Sequence, residues 1–547
     1  MVIRMRIPSL RFQRIAASCS LLPVLLTVNV AAQGYRPGQK FAASEARQAG
    51  AVTREDARGP FHADWDSLGH YQIPQWFRDA KFGIFVHWGI YSVPAFGSEW
   101  YSRNMYVQGS PDYEHQVATY GPESQFGYKD FIPLFRGQDF NAAAWVDLFV
   151  RAGARYVVPV AEHCDGFPMY SSQFTDWNAV TMGPHRDVVG ELEKATRARG
   201  LHFGVSSHRA EHWWWYQPGV LFDSDVRDPR NGGLYGPAEP MRMPGDLEAG
   251  EPDPNRLERW LPPDKWFLRD WLSRSTELVE KYHPDLIYFD WWIGEPAFQP
   301  FLKEFAAYYY DRSAERSQGV VMTYKEHAMP ENTAVLDIER GKLDTLRLLA
   351  WQTDTSVSLK SWGYVSDDQY RSAASLIQEL VDVVSKNGNM LLSVGPESDG
   401  TIPPQARAVL LEMGDWLRVN GEAIYGSRPW LVFGEGPTKV IGAGKMGTDA
   451  QNFTWQDIRY TTRSGNLYAI ALGRPQAPLL LQSLMKNTSY LNHPVCNVDL
   501  LGSSSTVQWQ QKSDGLSLTV PSDAPQEAAY TFRIRTCAGR AETVAQR

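Results

Sequence analysis

From Trp76 onward, short and wholly apolar runs alternate with longer stretches in which apolar residues recur every three or four positions. That alternation predicts strand, helix, strand, helix. The strands read as Lys81–Val86, Ala154–Val160, Leu201–Ser206, Asp285–Phe289, Gly319–Tyr324, Ala334–Asp337, a short Leu348–Trp351 and Asn389–Val394. Amphipathic helices are predicted over Asn141–Ala152, over Asp187–Arg199 with Gly200 as its stop, and over Asp264–Lys281. Apolar strands of this kind, alternating with helices, predict a closed parallel TIM-like (β/α)8 barrel over residues 71–430. After a helix at Gln405–Asn420 the pattern changes: Ile458–Thr462, Asn466–Ala471 and Tyr530–Ile534 are short alternating segments between Gly, Ser, Asn and Pro turns. Residues 431–547 are therefore expected to form a C-terminal antiparallel β-sandwich.

The chain start has a different character. Arg4, Arg6, Arg11 and Arg14 precede an apolar stretch from Ile15 to Leu26 and the small residues Val30-Ala31-Ala32. This reads as a signal peptide over 1–32, followed by a polar arm over 33–70 without strong periodicity, so the mature protein is expected to be exported. No later run is long enough to span a bilayer. Of four cysteines, Cys19 leaves with the signal, Cys164 stays unpaired, and Cys496 and Cys537 are candidates to pair in an oxidising compartment. The 547 residues include 20 Trp, which supply flat apolar surfaces of the kind on which sugar rings stack, and the net charge of -8 gives no general attraction to nucleic acid or an anionic membrane.

Active sites in this fold form at the carboxyl ends of the strands. The first strand delivers His87-Trp88-Gly89 and then Glu99-Trp100, the second Glu162-His163-Cys164-Asp165, and the third Ser207-His208-Arg209 with Glu211-His212-Trp213 beyond it. The fourth ends in Asp290-Trp291-Trp292 and the sixth in Asp337-Ile338-Glu339-Arg340. A carboxylate packed against indoles is costly unless partners stabilise it, so Asp290 is either a helix cap or a chemical group. Two chemistries fit such a rim. Metal hydrolysis usually shows a tight H-x-H ligand pair, and none is present at a strand end, so neither a metal nor another cofactor is expected. Glycoside cleavage needs two carboxyl groups, about 5 to 5.5 Å apart in retaining enzymes. Asp290 and one acid from a neighbouring strand end meet that need.

The segment Trp76 to Gly89 with Glu99-Trp100-Tyr101, the His163–Phe167 segment, Ser361-Trp362-Gly363-Tyr364 and Asn389 to Pro396 resemble the motifs of family 29 glycoside hydrolases, the α-L-fucosidases. The resemblance covers about residues 60 to 430 and implies a barrel with a β-sandwich, retaining hydrolysis of terminal α-L-fucose from a fucosylated oligosaccharide or glycoconjugate, and no metal. It places Asp290 at the family's nucleophile position. His87, Glu99, Trp100 and His163 match positions that bind the sugar, and His208 and Trp292 complete the expected substrate contacts. Glu339 is the expected acid/base, with Glu326 as competitor and Glu295 behind it. Two departures stand out: His163-Cys164 replaces two consecutive histidines, and Ser206-Ser207-His208 stands where a tyrosine is common. A hydrogen bond to a sugar hydroxyl is then lost or supplied by His208. Hydrolysis of a related sugar such as an α-L-galactoside, and a catalytically inactive carbohydrate-binding relative, are the alternatives.

Overall fold

The computed structural model describes residues 59–240, 261–447, 452–522, 524 and 528–537. The expected signal peptide and most of the arm lie outside them. Eight parallel strands close into a barrel in sequence order: β1 (Phe82–Val86), β2 (Tyr156–Glu162), β3 (His202–Ser207), β4 (Leu286–Phe289), β5 (Val321–Lys325), β6 (Val335–Asp337), β7 (Trp351–Ser356) and β8 (Gly388–Val394). β8 pairs with β1 to complete the ring, with Phe82 opposite Met390 and Val86 opposite Val394. The interior is packed rather than hollow: Phe85, Val158, Leu286, Tyr288 and Leu391 form one inward cluster. The short helix Gln75–Ala80 adds Phe77 and Ala80 to it just ahead of β1. Gly83 is required where it stands, because a Cβ there would lie 2.4 Å from the ring of Tyr156.

The helices fall close to the expected ranges, at Ala142–Arg151, Val188–Ala198, Lys265–Tyr282 and Pro404–Asn420. Asn141, Asp187 and Asp264 cap the first three with side-chain oxygens that accept from backbone N–H groups one turn on. The seventh strand is a correction. Leu348 is 61% exposed, and the strand is the polar run Trp351–Ser356, buried at every position. Its side chains are satisfied inside the barrel: Gln352 donates to Asp337 at 2.7 Å and accepts from Tyr156 at 2.9 Å. A search for apolar runs passes over a strand whose core face is hydrogen-bonded.

The C-terminal part is antiparallel. One sheet has the order β13-β16-β11-β10-β9 and the other β12-β15-β14, where β9 is Arg428–Glu435, β10 Ile458–Arg463, β11 Asn466–Ala471, β12 Leu479–Leu481, β13 Val495–Leu500, β14 Gln508–Gln511, β15 Leu516–Thr519 and β16 Tyr530–Thr536. Both sheets contribute to one core, with Trp430, Tyr460 and Phe532 from the larger and Leu481, Leu516 and Leu518 from the smaller. Cys496 and Cys537 are joined as a disulfide, their Cα atoms 4.9 Å apart. The barrel helix Ala373–Ser385 packs on β9 and β10. There the buried Asp382 accepts from Lys386 at 2.8 Å and from Arg459 of β10 at 2.6 Å. Among the described residues no helix is long and apolar enough to cross a membrane.

Candidate active site

At the carboxyl end of the barrel lies a cavity of about 560 Å³. All eight residues expected at the site line it: His87, Glu99, Trp100, His163, His208, Asp290, Trp292 and Glu339. β4 ends immediately before Asp290, and two residues later Trp292 takes a φ of 78°, a left-handed conformation that a bulky residue adopts only when its surroundings enforce it. Packing against Trp214, with ring centroids 5.7 Å apart, is one such constraint. The His208 Nδ1 lies 2.8 Å from Asp290 Oδ2, and the Tyr288 hydroxyl lies 3.4 Å from Oδ1. Burial pushes the Asp290 carboxyl up, but the attraction and hydrogen bond of His208, joined by the charge of Lys325, win and hold it well below the usual carboxylate range.

Glu339, two residues past β6, is governed by the opposite balance. The Trp291 indole N–H donates to its Oε2, and the Lys325 ammonium stands 3.8 Å away. Burial pushes its carboxyl up to about 7; Lys325 opposes that shift, while the charges of Asp354 and Asp290 add to it. Lys325 itself donates to Asp337 at 2.6 Å and to Asp354 at 2.9 Å, and Asp354 accepts from Tyr288 at 2.8 Å. A chain of contacts therefore runs Asp290, Tyr288, Asp354, Lys325, Glu339 through the top of the barrel interior.

Distant segments of sequence fix the remaining groups. Ser393 of β8 lies 2.8 Å from His87 Nδ1. The Ser361 hydroxyl and the Trp362 backbone N–H donate to Glu99 at 2.8 and 2.9 Å. Trp100, Trp214 and Trp292 supply indole walls. Burial lowers the proton affinity of His87 and His163 well below the ordinary imidazole value, with neighbouring His208 adding to it, so both rings are neutral near pH 7. The two other acids separate from Glu339 by environment. Glu326 also lines the cavity but is exposed, and the buried Glu295 accepts from the Ala297 N–H at 2.8 Å as a helix cap.

Six features escaped the sequence reading. Lys325, Tyr288 and Asp354 point inward from strands and carried no motif. Glu211, set aside as one polar residue after β3, lines the cavity beside Cys164. Met446 comes from the segment between β9 and β10, so the C-terminal part also contributes to the cavity. His87, His163 and His208 bring ring nitrogens within 4.8 Å of one another, a grouping that could hold a metal ion and that the H-x-H criterion does not detect. The donors argue for another use: His208 is engaged by Asp290 and, through Nε2 at 2.5 Å, by Ser206, and His87 Nδ1 by Ser393.

A parallel barrel whose rim holds two half-buried carboxyl groups of opposed proton affinity, walled by indoles and neutral imidazoles, is the site of a glycoside hydrolase. The α-L-fucosidase family profile matches residues 48–422, and the α-L-fucosidase C-terminal domain profile matches residues 451–535. The chain belongs to the α-L-fucosidase family. It is 31% identical to tissue α-L-fucosidase of Rattus norvegicus over 501 residues, covering 86% of this chain and 92% of that one. The Homo sapiens tissue enzyme is also 31% identical over 501 residues, covering 88% and 93%. Among solved structures, Thermotoga maritima α-fucosidase is 30% identical with a TM-score of 0.67, covering 87% of this chain and all of that one, and the same enzyme has been solved in complex with fucose.

Proposed function

We propose that the protein is an exported, retaining α-L-fucosidase that removes terminal α-L-fucose from glycans, with Asp290 as nucleophile and Glu339 as acid/base. One observation carries this reading: two carboxyl groups in one cavity, Asp290 held ionised and Glu339 pushed up to about 7. Environments that drive two acids apart in this way divide the roles between them.

In the first half-reaction the Asp290 carboxylate attacks the anomeric carbon, the glycosidic C–O bond breaks, and the Glu339 proton passes to the departing oxygen. A glycosyl ester on Asp290 results. Ester formation removes the Asp290 charge, which is one of the influences raising Glu339, so Glu339 becomes the stronger acid just when it must act as a base. It then takes a proton from water as that water attacks the anomeric carbon, which frees fucose with its original configuration and restores Asp290. His87, Glu99, His163 and the indoles of Trp100 and Trp292 hold the sugar. His208 acts through Asp290, keeping the carboxylate ionised and aimed.

Export rests on the signal peptide read over residues 1–32, and the division into a barrel over 71–430 and a sandwich over 431–547 belongs to the same proposal. The test is nuclear magnetic resonance of the first product from an aryl α-L-fucoside. Initial release of α-L-fucose supports the mechanism; initial β-L-fucose, or absence of turnover, overturns it.

A further inference from the structure

One of the buried carboxyl groups lining the cavity has no part in the double displacement. Glu211 sits in the 3₁₀ turn Arg209–Trp213 after β3, is 4% exposed, and lines the cavity with Cys164, Trp214 and Asp290. The Cys164 thiol donates to its Oε2 at 3.6 Å. Among the described residues Oε1 has no hydrogen-bond partner, and no cation forms an ion pair with either oxygen. Arg103, whose charge favours the ionised form of Glu211, instead donates to the Trp215 carbonyl at 3.1 Å and stacks over Trp214. Burial favours the protonated form of a carboxyl that has neither a paired cation nor a set of N–H donors. Burial pushes Glu211 well above its ordinary value, and the charges of Asp290 and Glu339 push the same way.

The thiol occupies Oε2, which leaves Oε1 as the oxygen open to present the acid proton to a ligand. An O–H donor in a ligand cavity without a protein partner is a group waiting for one. The turn that carries it is held firmly. Arg209 pairs with Glu162 at 2.6 Å and with Asp270 at 2.5 Å, and the His212 Nδ1 lies 2.8 Å from the Cys164 carbonyl oxygen. Gly166, at φ 77°, leaves room for that imidazole, since a Cβ there would lie 2.3 Å from it. Both ring nitrogens of His208 are engaged by Asp290 and Ser206, so His208 is not free to give a sugar hydroxyl the hydrogen bond that an imidazole at position 164 would make.

We propose that Glu211, a neutral acid oriented by Cys164, donates a hydrogen bond to one hydroxyl of the bound sugar and so sets which hydroxyl pattern the site accepts. The proposal rests on the fucosidase reading above and deepens it. Glu211 is a binding and specificity residue; the leaving group receives its proton from Glu339.

The experiment measures kcat/KM for an aryl α-L-fucoside and its 2-, 3- and 4-deoxy analogues on the wild type, Glu211→Leu and Glu211→Gln. Folding is followed by near-ultraviolet circular dichroism. In the wild type one deoxygenation should cost about tenfold to a hundredfold. In Glu211→Leu that penalty should vanish while the other two persist, the mark of a broken pairwise contact. Penalties unchanged at all three positions overturn the proposal. Glu211→Gln carries the test if the Leu variant does not fold: a neutral amide in place of a neutral acid removes no titrating group, so its pH profile should match the wild type. Loss of the alkaline limb, or rescue of a dead Gln variant by azide, would make Glu211 the acid/base and overturn the proposal. A wild type that fails to turn over any fucoside sinks the fucosidase reading instead.

Discussion

Replacing Lys325 by Met removes the buried cation that faces both Glu339 and the Asp337–Asp354 pair. The Lys325 Nζ lies 3.8 Å from Glu339 Oε2. At that separation two unit charges attract by about 4 kcal/mol in an effective dielectric of about 20. Converted at about 1.4 kcal/mol per pH unit, that is about three pH units as an upper bound. Lys325 is shared with Asp337 and Asp354, which divides its influence, so a rise of about one to three pH units is expected. The sign is set by the charge. An ammonium favours the ionised form of Glu339, so its loss raises the proton affinity of that carboxyl from about 7. The alkaline limb of kcat/KM reports the acid of the free enzyme and should move to higher pH by at least about one unit. At pH 7 kcat should fall, because the same carboxyl must be ionised to activate water. Lys325→Arg, which keeps the charge, should retain most of the wild-type profile. The assay is a pH profile on an aryl α-L-fucoside, with folding checked by circular dichroism. An alkaline limb that stays in place or moves downward refutes the electrostatic account of the acid/base.

Glu339→Ala should lower turnover of substrates with poor leaving groups by about 10²- to 10⁴-fold, with azide restoring activity on an activated aryl fucoside; rescue at Glu326→Ala in place of Glu339→Ala would move the acid/base to Glu326. Arg459→Met should destabilise the protein by about 3 kcal/mol, the low end for a broken buried ion pair because Lys386 still neutralises Asp382. A urea midpoint that barely moves would contradict it. Reducing Cys496–Cys537, which closes a loop spanning 41 residues, should cost about 4 kcal/mol from chain entropy at 25 °C, read as a lowered denaturation midpoint in the presence of reductant. An unchanged midpoint with both thiols titratable would contradict that magnitude.

The barrel was legible because most of its strands are continuous apolar runs, and because polar residues just past each run had one common destination. Asp290, His87 and His163 were found that way, and all reach the same cavity. β7 was misplaced because its buried face is polar: Gln352 and Asp354 are satisfied by Asp337, Tyr288 and Lys325, partners that no local window contains. Lys325, just past the strand expected at Gly319–Tyr324, went unmarked for the same reason. Glu211 stood in plain view after β3, but its importance lies in what surrounds it, a thiol on one oxygen and no cation paired with either. The convergence of three imidazoles is likewise a product of barrel closure, since His87, His163 and His208 come from three separate strand ends. Met446 could not be anticipated from the barrel at all, because it arrives from the segment that links two strands of the other sheet system.

The central claim is that Asp290 becomes covalently attached to the sugar. The direct measurement is to inactivate the enzyme with a 2-deoxy-2-fluoro α-L-fucosyl fluoride, whose fluorine slows both half-reactions while its good leaving group lets the ester accumulate, and then to map the label by peptide mass spectrometry. The account predicts one fluorofucosyl group per chain, on the peptide containing Asp290 and absent from Asp290→Ala. A label on Glu339 or Glu211, or steady turnover with inversion and no adduct, would contradict it.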